Sequence, residues 1–136
     1  MIRYENKIPV DDYLRLRKMA GWMKISRKQA ENAVNNCFYS VCVWDDNKVI
    51  GIMRILWNGD YCAYISDVIV DEAYRGQKIA STMMKQSIHY LKSQMEDDFV
   101  VKLFLMAAKG RESFYEQFGF IQRPNDSSGA ALDQWV

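Results

Sequence analysis

The sequence is poor in the residues that build metal sites and disulfide frameworks. It holds one histidine, His89, and three cysteines, Cys37, Cys42 and Cys62, with no CxxC pair. A protein zinc site needs several such ligands at set spacings, so no metal is expected. An odd, scattered set of thiols in strand-like apolar surroundings reads as reduced, buried cysteine. No stretch has the form of a signal peptide, and a cytoplasmic protein is expected. Apolar runs fall far short of the roughly 18–20 residues that a membrane span requires. Charge of one sign is also lacking: 18 Lys and Arg face 17 Asp and Glu, interleaved along the chain, for a formal net charge of +1. That balance leaves no footprint for nucleic acid or an anionic membrane. Two prolines and seven glycines make no linker, and no repeat interrupts the chain, so 1–136 reads as a single domain. What is present is apolar, at 49% of residues, enough for a core without staples. A domain near this size buries roughly 68% of its unfolded surface.

The pattern of apolar residues changes period along the chain. A short strand, Ile2 to Glu5, leads to Pro9 and to Asp11-Asp12, which suit a helix start; Tyr13, Leu16 and Ala20 follow at helical spacing, and Gly21 ends that helix. Ser26 and Gln29 have the form of a capping box opening a second helix toward Asn36. Phe38 to Trp44 and Val49 to Trp57 are rich in β-branched and aromatic residues and are separated by the polar tetrad Asp45–Lys48. Asn58-Gly59 signals a second hairpin with both turn residues at positive φ, delivering a strand from Tyr61 to Val70. Ala80, Met84, Ile88, Leu91 and Met95 then share one side of a long helix, with Lys78, Lys85, His89, Lys92 and Glu96 on the other. The apolar run Phe99 to Met106 predicts a strand covered on both faces and parallel to its neighbour. Phe114 and Phe118 share a short helix capped by Gly119, and Phe120–Gln122 and Ala130–Val136 supply two last strands. The fold class is therefore α+β (α/β): a mixed, mostly antiparallel central sheet flanked by helices, with one parallel βαβ crossover.

That crossover carries the most informative segment, Asp67-Val68-Ile69-Val70-Asp71-Glu72-Ala73-Tyr74-Arg75-Gly76-Gln77-Lys78-Ile79-Ala80. It reads as strand, short loop and helix, and the first turn of any helix leaves several N–H groups unpaired at its positive end. Such a turn cradles phosphate, with Gly76 and Ala80 small enough for close approach and Arg75 and Lys78 adding charge. The same pattern also serves as a plain β-turn-α connection that needs a glycine for geometry.

This segment resembles the signature [Q/R]-x-x-G-x-[G/A] of the GNAT superfamily of N-acetyltransferases, matched at Arg75, Gly76, Gln77, Ile79 and Ala80. Lys78 stands where the family usually carries glycine; inside a helix, with negative φ, its N–H remains available. Phe114-Tyr115-Glu116-Gln117-Phe118-Gly119-Phe120 resembles the family's C-terminal block, although Ala108 stands where an asparagine is frequent. Arg17–Trp22, Gly51–Arg54 and Ile65–Val68 resemble a subset acting on small amines or lysine, so the likeness covers roughly the whole chain.

The resemblance implies acetyl-CoA as donor, an amine as acceptor, and direct transfer in a ternary complex. Arg75, Gly76, Gln77, Lys78, Ile79 and Ala80 would hold the diphosphate, and main-chain N–H groups of Val68, Ile69 and Val70 would polarise the thioester carbonyl. Tyr115 is the implied general acid, a phenol suited to protonating a thiolate. Asp67, or else Glu72, is the candidate base for the incoming ammonium. If Val68 and Val70 share one face of the strand, Asp67 and Ile69 share the other, unless a bulge intervenes. Trp22 and Arg54 are candidates for the acceptor pocket, and a buried Arg54 needs a partner, for which Asp67 is available. Acceptor contacts would come from Met19–Ser26 and Arg123–Gly129, and the late strands could pair two subunits as a homodimer. A non-catalytic acyl-CoA-binding module and a transferase using another acyl donor are the competing readings.

Overall fold

A computed structural model describes residues 1–136, divided into two compact units, Met1–Leu105 and Met106–Val136. The first unit runs β1 (Ile2–Glu5), α1 (Val10–Met19), α2 (Arg27–Asn35), β2 (Tyr39–Asp45), β3 (Lys48–Trp57), β4 (Cys62–Val70), a 3-10 turn at Glu72–Tyr74, α3 (Ile79–Gln94) and β5 (Lys102–Leu105). Its five strands lie in the order β1-β2-β3-β4-β5. Every neighbouring pair is antiparallel except β4 and β5, which α3 connects as parallel strands. This is the α+β sheet with a single parallel crossover that the sequence predicts. No helix is long and apolar enough to cross a membrane.

Local chemistry explains the helices. Asp11 and Asp12 sit in the first turn of α1 and Arg17 and Lys18 in the last, complementing the helix dipole. Ser26 accepts from Gln29 N and the Gln29 side chain accepts from Ser26 N, so both halves of the capping box form. α1 and α2 cover one sheet face around Ile8, Tyr13, Leu16, Ala30, Cys42, Ile52 and Ile69. α3 covers the other face with Ile79, Met83, Met84, Ser87 and Leu91, a stripe turned from the predicted one toward Met83 and Ser87. Ser87 is tolerated there because its hydroxyl donates to Met53 Sδ at 3.4 Å. Gly51 makes the close approach possible: a Cβ on it would lie 3.3 Å from Ile79 Cγ2 and 3.4 Å from Val43 Cγ2.

Three expectations are corrected. The turn after β3 spans Asn58 to Tyr61, and only Gly59 has positive φ, at 92°; Asp60 closes the loop instead, accepting from Trp57 Nε1 and from Cys62 N. The last strand of the sheet is four residues long, not eight, and only one of its faces is covered, Lys102 and Phe104 being exposed. The second unit holds one short helix, α4 (Glu112–Glu116), and neither late strand forms. Phe120–Gln122 is squeezed between Gly119 at φ 90° and Arg123-Pro124, while Leu132, Trp135 and Val136 stay exposed with no ladder partner. The elements expected to pair two subunits are thus absent.

Candidate active site

Two features of the first unit create unpaired main-chain groups close together in sequence. The β4–β5 ladder covers only Cys62–Ile65 against Lys102–Leu105. From Ser66 to Val70 the edge of β4 on that side has no strand partner. N–H groups alternate sides along a strand, and Asp71 N donates to Ile50 O while Ile69 pairs with Ile52, so Ile69 faces β3, against expectation, and only Val68 and Val70 are left for the open edge. On the other side, Ile52 pairs with Ile69 but Arg54 pairs with Ser66, so β4 carries one extra residue there. Asp67 takes the strain at φ 60°. Burial nevertheless alternates as the strand pattern requires, with Asp67 and Ile69 buried and Val68 and Val70 half-buried.

After β4, Asp71 accepts from Ala73 N and opens the 3-10 turn, and Arg75 N bonds back to Glu72 O. The chain then enters α3 through Gly76 at φ 81° and Lys78 at φ 61°. Lys78 is therefore not a helical residue of negative φ but the left-handed residue before the helix, the geometry that favours glycine. The N–H groups of Gly76, Gln77 and Lys78 have no intramolecular acceptor, and the first amides of α3, on Ile79 and Ala80, lie beyond the reach of its ladder. No side chain caps this helix, and nothing lies within 4 Å of where a Gly76 Cβ would stand. Arg75, Gly76, Gln77 and Lys78 are exposed and Ile79 is buried as the anchor. Converging N–H groups at a positive helix end suit an anion such as a diphosphate.

On the α1–α2 side of the same bulge lies a buried charge network. Asp67, 8% exposed, accepts at Oδ2 from the Tyr13 hydroxyl at 2.5 Å and from Arg54 Nε at 2.6 Å, and at Oδ1 from Arg17 Nη1 at 3.4 Å. Arg54, equally buried, also donates to Ser66 Oγ and to Ala33 O. Burial, then the charge of Asp67, push the Tyr13 phenol up to about 12, so it stays a donor. Asp67 is the partner that a buried Arg54 requires. Both Asp67 oxygens are thus engaged by donors from α1 and β3. Trp22 is half-buried, packed against the core with the Arg17 guanidinium 5.5 Å over its ring. Glu72 is exposed.

The sequence alone offers Tyr13 only as a residue at helical spacing and Arg17 only within the segment Arg17–Trp22, with no link from either to Asp67. A signal existed: an aspartate at an inward strand position demands donors, and Tyr13 and Arg17, four apart, share one face of α1.

In the second unit, Tyr115 lies on α4 among Phe114 at 5.1 Å and Phe120 at 6.4 Å, with Phe118 against Phe114 at 5.3 Å. Burial raises its pKa and the charge of Arg111 opposes the rise, so the phenol is protonated at neutral pH. Ala108 O accepts from Arg111 N in the turn before the helix.

The family described as "Acetyltransferase (GNAT) family" matches residues 8–120. A probable acetyltransferase of unknown function from meticillin-resistant Staphylococcus aureus superposes with a TM-score of 0.86 at 28% identity, covering 99% of this chain and 100% of that one. The uncharacterised N-acetyltransferase ycf52 of Gracilaria tenuistipitata var. liui is 26% identical over 132 residues, 94% of this chain and 70% of that relative. A predicted acetyltransferase from Clostridium acetobutylicum, solved with acetyl-CoA, shares the fold at a TM-score of 0.69 and 19% identity, over 100% of this chain and 94% of that one.

Proposed function

The chain belongs to the acetyltransferase (GNAT) family, and from that premise we propose that it moves the acetyl group of acetyl-CoA onto a primary amine by direct transfer in one ternary complex. The observation that carries the reading is the run of unpaired N–H groups at Gly76, Gln77 and Lys78 leading into α3, next to a β4 edge that has no strand partner beyond Ile65. The Clostridium acetobutylicum neighbour solved with acetyl-CoA supports this donor.

Arg75, Gly76, Gln77, Lys78, Ile79 and Ala80 hold the diphosphate by main-chain hydrogen bonds, with the charges of Arg75 and Lys78 added. The open edge at Val68 and Val70 supplies donors to a carbonyl oxygen as it gains charge. Acetyl-CoA contributes an activated thioester. Tyr115, kept protonated by its burial, gives its proton to the departing sulfur. The amine loses its own proton to water, because Asp67 is committed to Tyr13, Arg17 and Arg54. Residues 1–136 are read as one N-acetyltransferase domain, a reading the family match across residues 8–120 supports. The free thiols of Cys37, Cys42 and Cys62 fit a reducing cytoplasm.

The test has two arms. Binding to the native state alone must raise stability by mass action, so CoA at 100 times its Kd shifts the unfolding free energy by about 2.7 kcal/mol. Thiol release from acetyl-CoA across a panel of amines then reads transfer itself. A CoA-dependent shift without transfer to any amine would favour a non-catalytic acyl-CoA-binding module; no shift at all removes both.

A further inference from the structure

Arg17 hydrogen-bonds both the connection between α1 and α2 and the bulge in β4. Its Nη1 donates to Asp67 Oδ1 at 3.4 Å and its Nη2 donates to Met23 O at 2.8 Å. The guanidinium lies 5.7 Å over the Tyr13 ring and 5.5 Å over the Trp22 ring. Its own carbonyl accepts from Trp22 N at 3.1 Å, so the chain folds back over it through Gly21 at φ 77°. Gly21, Met23 and Lys24 are exposed, with Trp22 and Ile25 half-buried. No other hydrogen bond fixes Met23 or Lys24, so between the packed side chains of Trp22 and Ile25 the backbone is held by Arg17 alone.

We propose that Arg17 is a positioning residue that holds the Gly21–Ile25 segment as the acceptor-side wall of the site. The inference rests on the acetyltransfer reading, because the amine must arrive at the β4 bulge, where the carbonyl is to be polarised, and Arg17 anchors this segment to that bulge. Only a planar fork serves: one N–H reaches a buried carboxylate while another reaches a main-chain carbonyl, with the flat faces against two rings. A lysine keeps the charge but makes one of these contacts at a time. Diphosphate recognition, which lies at the start of α3, is untouched by the change.

Arg17→Lys and Arg17→Gln should raise the KM for the amine roughly tenfold or more, the scale expected when hydrogen bonds to a charged group that order a site are lost. The KM for acetyl-CoA and the CoA-induced thermal shift should stay within about twofold of the parent values. Amide exchange should quicken at Gly21 and Trp22, whose N–H groups bond back to Lys18 O and Arg17 O, while β4 amides keep their protection, and this measurement remains informative if Arg17→Gln folds poorly and only Arg17→Lys is usable. Equal rises in both KM values, or an unchanged amine KM with unchanged exchange at Trp22, overturn the assignment of Arg17. A parent protein that binds CoA yet acetylates no amine overturns instead the reading on which the assignment stands, and the exchange experiment still decides whether Arg17 holds the segment.

Discussion

Replacing Lys78 by glycine should make the protein more stable, although glycine is ordinarily the worse choice inside a helix. Lys78 sits at φ 61° and ψ 23°, exposed and in no ion pair, so its side chain contributes little to the fold. A non-glycine residue in the left-handed region costs about 1–2 kcal/mol. Glycine removes that burden but adds freedom to the unfolded chain, worth about 0.4–1 kcal/mol in the opposite direction. The net gain is about 0.5–1 kcal/mol. Unfolding entropy near 2.1 cal/mol/K per residue converts this, for 136 residues, into a rise in Tm of about 2–4 °C. Differential scanning calorimetry of the parent, Lys78→Gly and Lys78→Ala reads it directly, with the alanine variant, still left-handed, showing no gain. A helical Lys78 would reverse the sign, because glycine inside a helix costs about 0.8–1.0 kcal/mol relative to alanine. A lower Tm for Lys78→Gly would refute the left-handed assignment. CoA titrations of the same variants separate charge from backbone: a loss of affinity common to glycine and alanine belongs to the missing ammonium.

Tyr115→Phe should lower kcat by roughly 10²–10⁴-fold with the melting curve little changed, the range of general acid–base effects; normal turnover would remove the phenol from the reaction. Gly51→Ala must press a methyl group against Ile79 and Val43, which should cost about 1–3 kcal/mol and raise the KM for acetyl-CoA, since Ile79 begins α3; urea unfolding and kinetics measure the two effects. Tyr13→Phe removes one donor from Asp67 and should destabilise the fold by about 1–3 kcal/mol near neutral pH. Its effect depends on pH with a definite sign. The native phenol holds its proton up to about 12, above its ordinary value of 10.0, while the unfolded one releases it earlier, so parent stability carries a loss of about 1.4 kcal/mol per pH unit across that window. The phenylalanine variant lacks this loss, and the gap between the two proteins should narrow from pH 10 to 12.

Elements governed by local chemistry were legible in the sequence. The reciprocal Ser26–Gln29 cap, the polar turn at Asp45–Lys48 and the inward alternation of β4 each follow from neighbouring residues, and the structure contains all three. The parallel crossover followed from strand, helix and strand in succession. Expectations failed where distant parts compete. Phe99–Met106 is apolar enough for a long strand, yet only Lys102–Leu105 finds β4 as a partner. The last residues alternate weakly and meet no free edge, so their apolar side chains did not make strands. Lys78 misled for a different reason: its residue type argues for a helix interior, while the turn from the 3-10 segment into α3 imposes a backbone angle that only the family pattern hints at. In the site, Asp67 was found and its pairing with Arg54 anticipated, but Tyr13 and Arg17 lie about fifty residues away, and only folding brings them to the same carboxylate.

The shortness of the β4–β5 ladder bears on kinetics as well as on recognition. Where β5 ends at Leu105, no inter-strand bond exists that a visitor to Ser66–Val70 would have to rupture. Within the first unit, arrival there breaks no ladder of the sheet. Encounter frequency, rather than the opening of the sheet, should then set how fast this edge is occupied, and stopped-flow rates should remain linear in ligand concentration.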